Sequence, residues 1–546
     1  MSMVMEERIY RQLIELVNIP SVTGSEGEKE ITRFIYNTLA KEKYFKEHPN
    51  HLKTVPGPDG KRCSLVAMVR SASETAETVL CISHLDVVDV DVYGDLAKEA
   101  FDPEALQPLL KNYPLDEAAQ KDLESGNWIF GRGVMDMKCG VALELDLLEE
   151  LARNRNSFDV NIVVAAVFDE EGSNQGMISV VPFLEKLAKR EELQYIAALN
   201  TEPTDAGMPG ALEPGYFLST MGKALVMVYV VGQPAHGGNY FSGISAAFIQ
   251  NYINIELEAQ PELIDASEGG VTIPPFVLNQ QCRDRKNYSV SIPHLCVGYY
   301  NVFTVGKTPS EIIACFKEAA KRGTEKAIKA LEKAYMELAT TSYRGAAKKQ
   351  KNIPVISYEE LRNEVAHNFH GDFKKAEKKL MDKLQASGMD LREQGIRLVE
   401  WLLSLRKRKD PVIIIGFLPP YMPYRSSYGD SHLEQKLRLA AETTASYARK
   451  VFGRKILEYP AFGGLCDLSY VGCEMNDDEL ESLKANIPGW GTLYELPLES
   501  MKKLDMPIIN LGPLGRDAHT WIERLERDYA LEELPHLLRY FIKQLS

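Results

Sequence analysis

Short uninterrupted apolar runs alternate with helically spaced apolar positions from Met1 to about Met221, a rhythm that builds a sheet covered by helices. The opening stretch, MSMVMEERIYRQLIELVNIPS, reads as an amphipathic helix. Thr78 to Ser83, Asn161 to Phe168 and Ile196 to Asn200 read as buried strands, and Gly140 to Arg153 as a helix whose face is formed by Val141, Leu143, Leu145, Leu147 and Leu148. The texture changes near Gly222. There ALVMVYVVG predicts a strand leading into the turn-rich GQPAHGGNYFSG, followed by a helical run from Ile244 to about Leu257. From Pro309 to about Arg408 the spacing is helical and rich in Lys, Glu, Ala and Leu, interrupted by RGAAKKQKNIP. Its basic clusters, KKQK and FKKAEKK, read as solvated helix faces. The segment PPYMPYRSSYGDS reads as a linker, a long amphipathic helix begins near His432, and the C-terminal part returns to α/β texture with the strand MPIINLG and the turn GRDAH. The expected organisation is a discontinuous α/β domain, residues 1–221 and 431–546, interrupted by a second domain over 222–430 that carries a helical insertion at about 309–408.

Composition narrows the function classes. The chain has 546 residues, more than one core usually organises, and 45% apolar with 26% charged residues is the make-up of an ordinary globular protein. A formal charge of -14 argues against a nucleic-acid partner, because such surfaces concentrate Lys and Arg against phosphates. The start carries acidic residues where an export signal would carry basic ones, and no apolar stretch is long enough to span a bilayer. The eight cysteines form no C-x-x-C pair and read as reduced core thiols. A cytoplasmic protein without a membrane partner is expected.

Acids and histidines recur where apolar strands end. SHLDVV places His84 and Asp86 there. One reading is a loop histidine hydrogen-bonded to an aspartate; the other is a metal ligand whose tautomer Asp86 fixes by accepting the second ring N–H. GRGVMDMKCG sets Asp136 at a helix entrance, where a cap would explain the aspartate but not Gly131, Gly133 and Gly140. VVAAVFDEEGSNQG runs off a strand into Asp169, Glu170 and Glu171, which repel one another unless cations or protons offset the charge. NTEP adds Glu202 and GRDAHT adds His519.

These motifs, with the N-terminal IPSVTGSEGE, occur in the order found in the M20 family of metallopeptidases and deacylases, which the chain strongly resembles. The resemblance implies a zinc-peptidase-like α/β catalytic domain with an inserted α+β lid and dimerisation domain, here enlarged by the helical block. It implies one ion held by His84, Asp136 and Glu202 and another by Asp136, Glu171 and His519, with Asp136 bridging, Asp86 orienting His84 and Glu170 as general base. GQPAHGGNYFSGISAA looks like the family's lid signature, which makes His236 the oxyanion donor, supplied in several dimeric relatives by the partner subunit. The enlarged lid is similar to the arginine-utilisation (RocB-type) branch and suggests amino-acid catabolism. Many relatives carry an arginine near the end of the lid to grip a substrate carboxylate; only Arg425 offers itself here, at the wrong distance, so an α-carboxylate substrate is not implied.

A nitrogen and oxygen donor set without thiolates suits Zn²⁺, with Co²⁺ or Mn²⁺ as alternatives. The expected function is two-metal hydrolysis of an amide bond in a small peptide or N-acyl amino acid. Two other classes compete: a catalytically silent metal-binding or regulatory protein of the same fold, and a thiol hydrolase using Cys139 or Cys466. A binder has no need of a general base and an oxyanion donor, and indifference to chelators would mark the thiol enzyme.

Overall fold

The computed structural model describes residues 2–206, 213–267, 270–283, 289–341, 352–464 and 466–546. Two compact units divide the chain: Met1–Met221, Pro423–Cys473 and Pro497–Ser546 form the first, and Gly222–Met422 with Glu474–Leu496 the second. The expected return to the first domain at residue 431 occurs earlier, at Pro423. Residues 474–496 leave it again for the second unit, where the Asp477–Asn486 helix packs beside the Tyr358–Asn368 helix and Asn486 Oδ1 accepts from the Glu359 amide at 3.2 Å. Nothing in the local pattern marks that excursion, because it is fixed by packing partners distant in sequence.

The first unit is an α/β structure built on an eight-stranded sheet. Its order is Leu52–Pro56, Cys63–Val69, Asn161–Val167, Glu77–His84, Gln194–Asn200, Ile508–Asn510, Gly215–Phe217 and Leu457–Tyr459. The central strands Asn161–Val167, Glu77–His84, Gln194–Asn200 and Ile508–Asn510 run parallel. Asn161–Val167 is buried at every position, as a parallel strand covered on both faces requires. The helices Ser2–Val17, Lys138–Arg153 and Leu534–Leu545 supply much of the facing core through Leu13, Leu143, Leu147, Leu538 and Phe541. A four-stranded sheet beside it joins Trp128–Phe130, Arg524–Glu526, Leu514–Arg516 and Thr204–Asp205 in that order.

The second unit centres on a five-stranded sheet in the order Phe276–Cys282, Leu295–Thr304, Gly222–Val231, Val412–Met422 and Val355–Ser357. The expected helical block contains the helices Pro309–Ala339, Tyr358–Asn368, Phe373–Gln385 and Leu391–Leu405. It is not wholly helical: Val355–Ser357 pairs in parallel with Ile413–Ile415, so the block is woven into the sheet. Three apolar-flanked residues are too few for a periodic signal, and the cross-strand partner decides their state. KKQK lies outside the described residues; the lysines of FKKAEKK are exposed, as a solvated face requires. The supposed linker is also structured in part, since Pro419–Met422 ends a strand and Arg425 is buried against Asp505 at 2.9 Å. Of the cysteines, Cys81, Cys139, Cys296 and Cys466 are buried, whereas Cys282 is exposed. Among the described residues, no helix is long and apolar enough to cross a membrane.

Candidate metal centre

The four central parallel strands of the first unit end on the same side, and the loops leaving their carboxyl ends carry much of the site, the usual place for chemistry in an open α/β sheet. His84 is the last residue of its strand, Glu170 and Glu171 follow Asn161–Val167, and Glu202 follows Gln194–Asn200. Asp136 stands in the glycine-rich turn before the Lys138–Arg153 helix. His519 comes from the turn between Leu514–Arg516 and Arg524–Glu526, itself in a left-handed conformation at φ 64°.

These donors form two trios that share Asp136. His84 Nε2 lies 3.2 Å from Asp136 Oδ1 and 3.2 Å from Glu202 Oε1. His519 Nε2 lies 3.1 Å from Asp136 Oδ2 and 2.9 Å from Glu171 Oε1. Each oxygen of one carboxylate thus faces a different imidazole. Within a trio the donor atoms lie within 4.8 Å of one another, compatible with the roughly 3.3 Å edges of a tetrahedron built on bonds of about 2.0 to 2.1 Å.

Electrostatics point the same way. Burial disfavours charge on His84, yet Glu202 and Asp136 outweigh it and hold the ring well above the ordinary histidine range. Hydrogen bonds to Asp136 and Glu171 hold His519 up to about 11. Burial would raise Asp136, but its bonds to His519 and His84 prevail and hold it below the usual carboxylate range. Burial pushes Glu202 up to about 7 despite the attraction of His84. So many carboxylates around two imidazoles call for positive charge, and the N and O donors without a thiolate fit divalent cations.

Two expectations about neighbouring residues change. His84 Nδ1 meets the main-chain carbonyl of Asp86 at 2.9 Å, while the Asp86 carboxylate is 3.8 Å away. The ring is therefore oriented by the Asp86 backbone, leaving Nε2 to face Asp136 and Glu202. The Asp86 carboxylate instead accepts from the Glu170 amide at 3.0 Å, the Glu171 amide at 3.1 Å and Thr23 Oγ1 at 2.9 Å, so it fixes the loop that carries Glu170 and Glu171. The Asp–Glu–Glu triplet also divides its work. Asp169 leaves the centre to accept from Arg62 Nη1 at 3.0 Å and from the Gln175 amide at 3.2 Å. Glu171 faces His519, and Glu170 holds a wholly shielded Oε1 with no hydrogen-bond partner among the described residues. Burial, then the charges of Asp467, Glu171 and Glu202, push Glu170 well above the usual carboxylate range against the pull of His84.

Asp467 went unnoticed in the sequence. It is buried, raised to about 7 by burial and by Glu202 and Asp86, and its charge is felt by Glu170. The only local signal is an acid after Gly463 and Gly464, weaker than an acid at the end of an apolar run. Cys139 and Cys466 are buried thiols driven far up by desolvation, which leaves neither as a nucleophile. His236 belongs to the second unit, where it is exposed and its Nδ1 accepts from the Gly238 amide at 3.1 Å.

Fold and donor arrangement together are those of an α/β metallohydrolase. Residues 82–385 match the model of peptidase family M20/M25/M40. The chain belongs to that family and is a metallohydrolase acting on amide bonds. It is 32% identical to the uncharacterized protein YqjN of Bacillus subtilis (strain 168), covering 99% of this chain and 96% of that one, and 28% identical to Protein RocB of the same organism, covering 98% and 94%. The aminopeptidase PepT of Bacillus cereus shares the fold at a TM-score of 0.52 and 12% identity, over 99% of this chain and 98% of that one.

Proposed function

We propose that this chain hydrolyses an amide bond in a short peptide or N-acyl amino acid, using two divalent ions, Zn²⁺ by preference, held by His84, Asp136 and Glu202 and by Asp136, Glu171 and His519. The observation that carries this reading is the Asp136 carboxylate, whose oxygens face His84 Nε2 and His519 Nε2 separately. When bound, the ions supply Lewis acidity to the scissile carbonyl and to the attacking water. Glu170 takes the water's proton on its shielded Oε1 and returns it to the departing nitrogen; burial and acidic neighbours raise its affinity for that proton. Asp86 holds Glu170 in place through its amide.

The resemblance of the enlarged second unit to the arginine-utilisation branch leads us to an arginine-related or acylated substrate in amino-acid catabolism, and the acidic balance suits a cationic one. The free thiols fit a cytoplasmic setting. Dialysis against a chelator should abolish hydrolysis across a panel of N-acyl amino acids and dipeptides, and Zn²⁺ or Co²⁺ should restore it. Activity indifferent to the chelator would refute the proposal.

His236 completes the reading as oxyanion donor. Because its Nδ1 accepts from Gly238, the neutral ring carries its proton on Nε2 and can donate there. A homodimer through the second unit is supported by its outer strand, Phe276–Cys282, where Leu278 is exposed, and by exposed Ile255 on the adjoining Ala246–Leu257 helix. If the partner supplies the histidine, mixing Glu170→Ala subunits with His236→Ala subunits restores part of the activity that each lacks. No restoration after verified subunit exchange would place His236 in its own subunit.

A further inference from the structure

Between the turns that carry Asp136 and His519 lies a charged pair that the chemistry above does not use. Arg132 and Glu523 are both essentially excluded from solvent and paired through Arg132 Nη1 and Glu523 Oε2. Glu523 Oε1 accepts from the Gly133 amide at 2.7 Å, and the Glu523 carbonyl accepts from the Gly131 amide at 3.1 Å. One residue therefore grips the glycine-rich turn by both side chain and main chain. That turn ends at Asp136, whereas Glu523 itself closes the turn that presents His519. The guanidinium of Arg132 lies 5.3 Å from the centre of the Tyr93 ring, and among the described residues Arg132 Nε and Nη2 have no hydrogen-bond partner.

Stability is a poor reason for such an arrangement. Two desolvated charges with donors left over are commonly no more stabilising than apolar side chains of the same size. What the pair does supply is geometry, since it ties the carrier of the bridging carboxylate to the carrier of the second histidine. Groups behind metal ligands typically govern affinity by about 10- to 100-fold through orientation alone. Gly133 reinforces the point: at φ 80° it takes a conformation side chains avoid, and a Cβ there would lie 2.8 Å from Val87, so the turn cannot relax by adopting an ordinary residue.

We propose that Arg132 and Glu523 are positioning residues that set the approach of Asp136 to His519, and so govern how tightly the second ion is held. The proposal rests on the two-ion reading above. The test is titration of the metal-free protein with Co²⁺, followed by calorimetry and by the visible absorption of the bound ion. Wild type should take up two ions. R132M/E523L removes the pair without orphaning a charge; it should bind the first ion within about threefold of wild type and the second about 10- to 100-fold more weakly, with a changed absorption band. The unfolding midpoint of the metal-free variant should stay close to wild type. R132M/E523Q, which likewise orphans no charge but keeps an acceptor for Gly133, should fall between, and it decides the matter if the first double variant does not fold. Two ions bound as tightly as in wild type, or a weakening matched by lost stability of the metal-free protein, would overturn the positioning role while leaving the two-ion site standing. Wild type that binds fewer than two ions would overturn both.

Discussion

Glu170→Gln should lower kcat by about three to four orders of magnitude, the upper part of what a general base contributes, while the protein still binds its full complement of metal. The glutamine keeps the shape of the glutamate and can still accept a hydrogen bond, but it cannot carry the water's proton to the departing nitrogen. Three features make the effect large. Glu170 Oε1 is shielded with no competing partner, its amide is tied to Asp86, and burial raises its proton affinity. Folding should not suffer, because the substitution removes a carboxylate from a neighbourhood of carboxylates. Metal content by elemental analysis and turnover on one good substrate read out the two halves of the prediction. Substantial turnover in the glutamine variant would dismiss Glu170 as the base.

Asp136→Ala should have the larger effect on the metal. It strips one donor from each trio at once, whereas His519→Ala strips one from the second trio only. If binding of roughly 10 to 16 kcal/mol is shared among about four donors, each is worth about 3 kcal/mol, or a hundredfold or more in affinity. The aspartate variant should therefore emerge from gel filtration with less than one ion, and the histidine variant with about one. A variant that keeps both ions without Asp136 would show that the carboxylate does not bridge. The contrast between the two substitutions matters more than either alone, since general loss of structure would remove both ions from both.

Three of the candidate ligands are legible in the sequence in the same way, as an acid or histidine where an apolar strand ends. His84, Glu171 and Glu202 follow runs whose burial forces them to be strands, so their placement at one sheet edge is a matter of local pattern. His519 and Asp136 were legible through motif order. What escaped was whatever depends on a partner far along the chain. No spacing rule reveals that the Asp86 backbone, not its carboxylate, orients His84, or that Asp169 turns away to meet Arg62. Asp467 and the Arg132–Glu523 pair lack a strand-end signature altogether. The strand Val355–Ser357 is too short to be distinguished from an interruption in helical texture until the strand at Val412–Met422 is beside it.

His84, Asp136 and Glu202 all lie in the first continuous stretch of the chain, whereas His519 arrives only after the whole of the second unit has been made. On a ribosome, the donors of one ion position are available long before those of the other, and domains tend to fold in the order they emerge. A chain released early, or clipped before residue 519, can gather the first trio at most and has no means of forming the shared centre. On the two-ion proposal, loading of the second ion requires synthesis to continue past residue 519, so chains cut before that point would hold one ion at most and be silent as hydrolases.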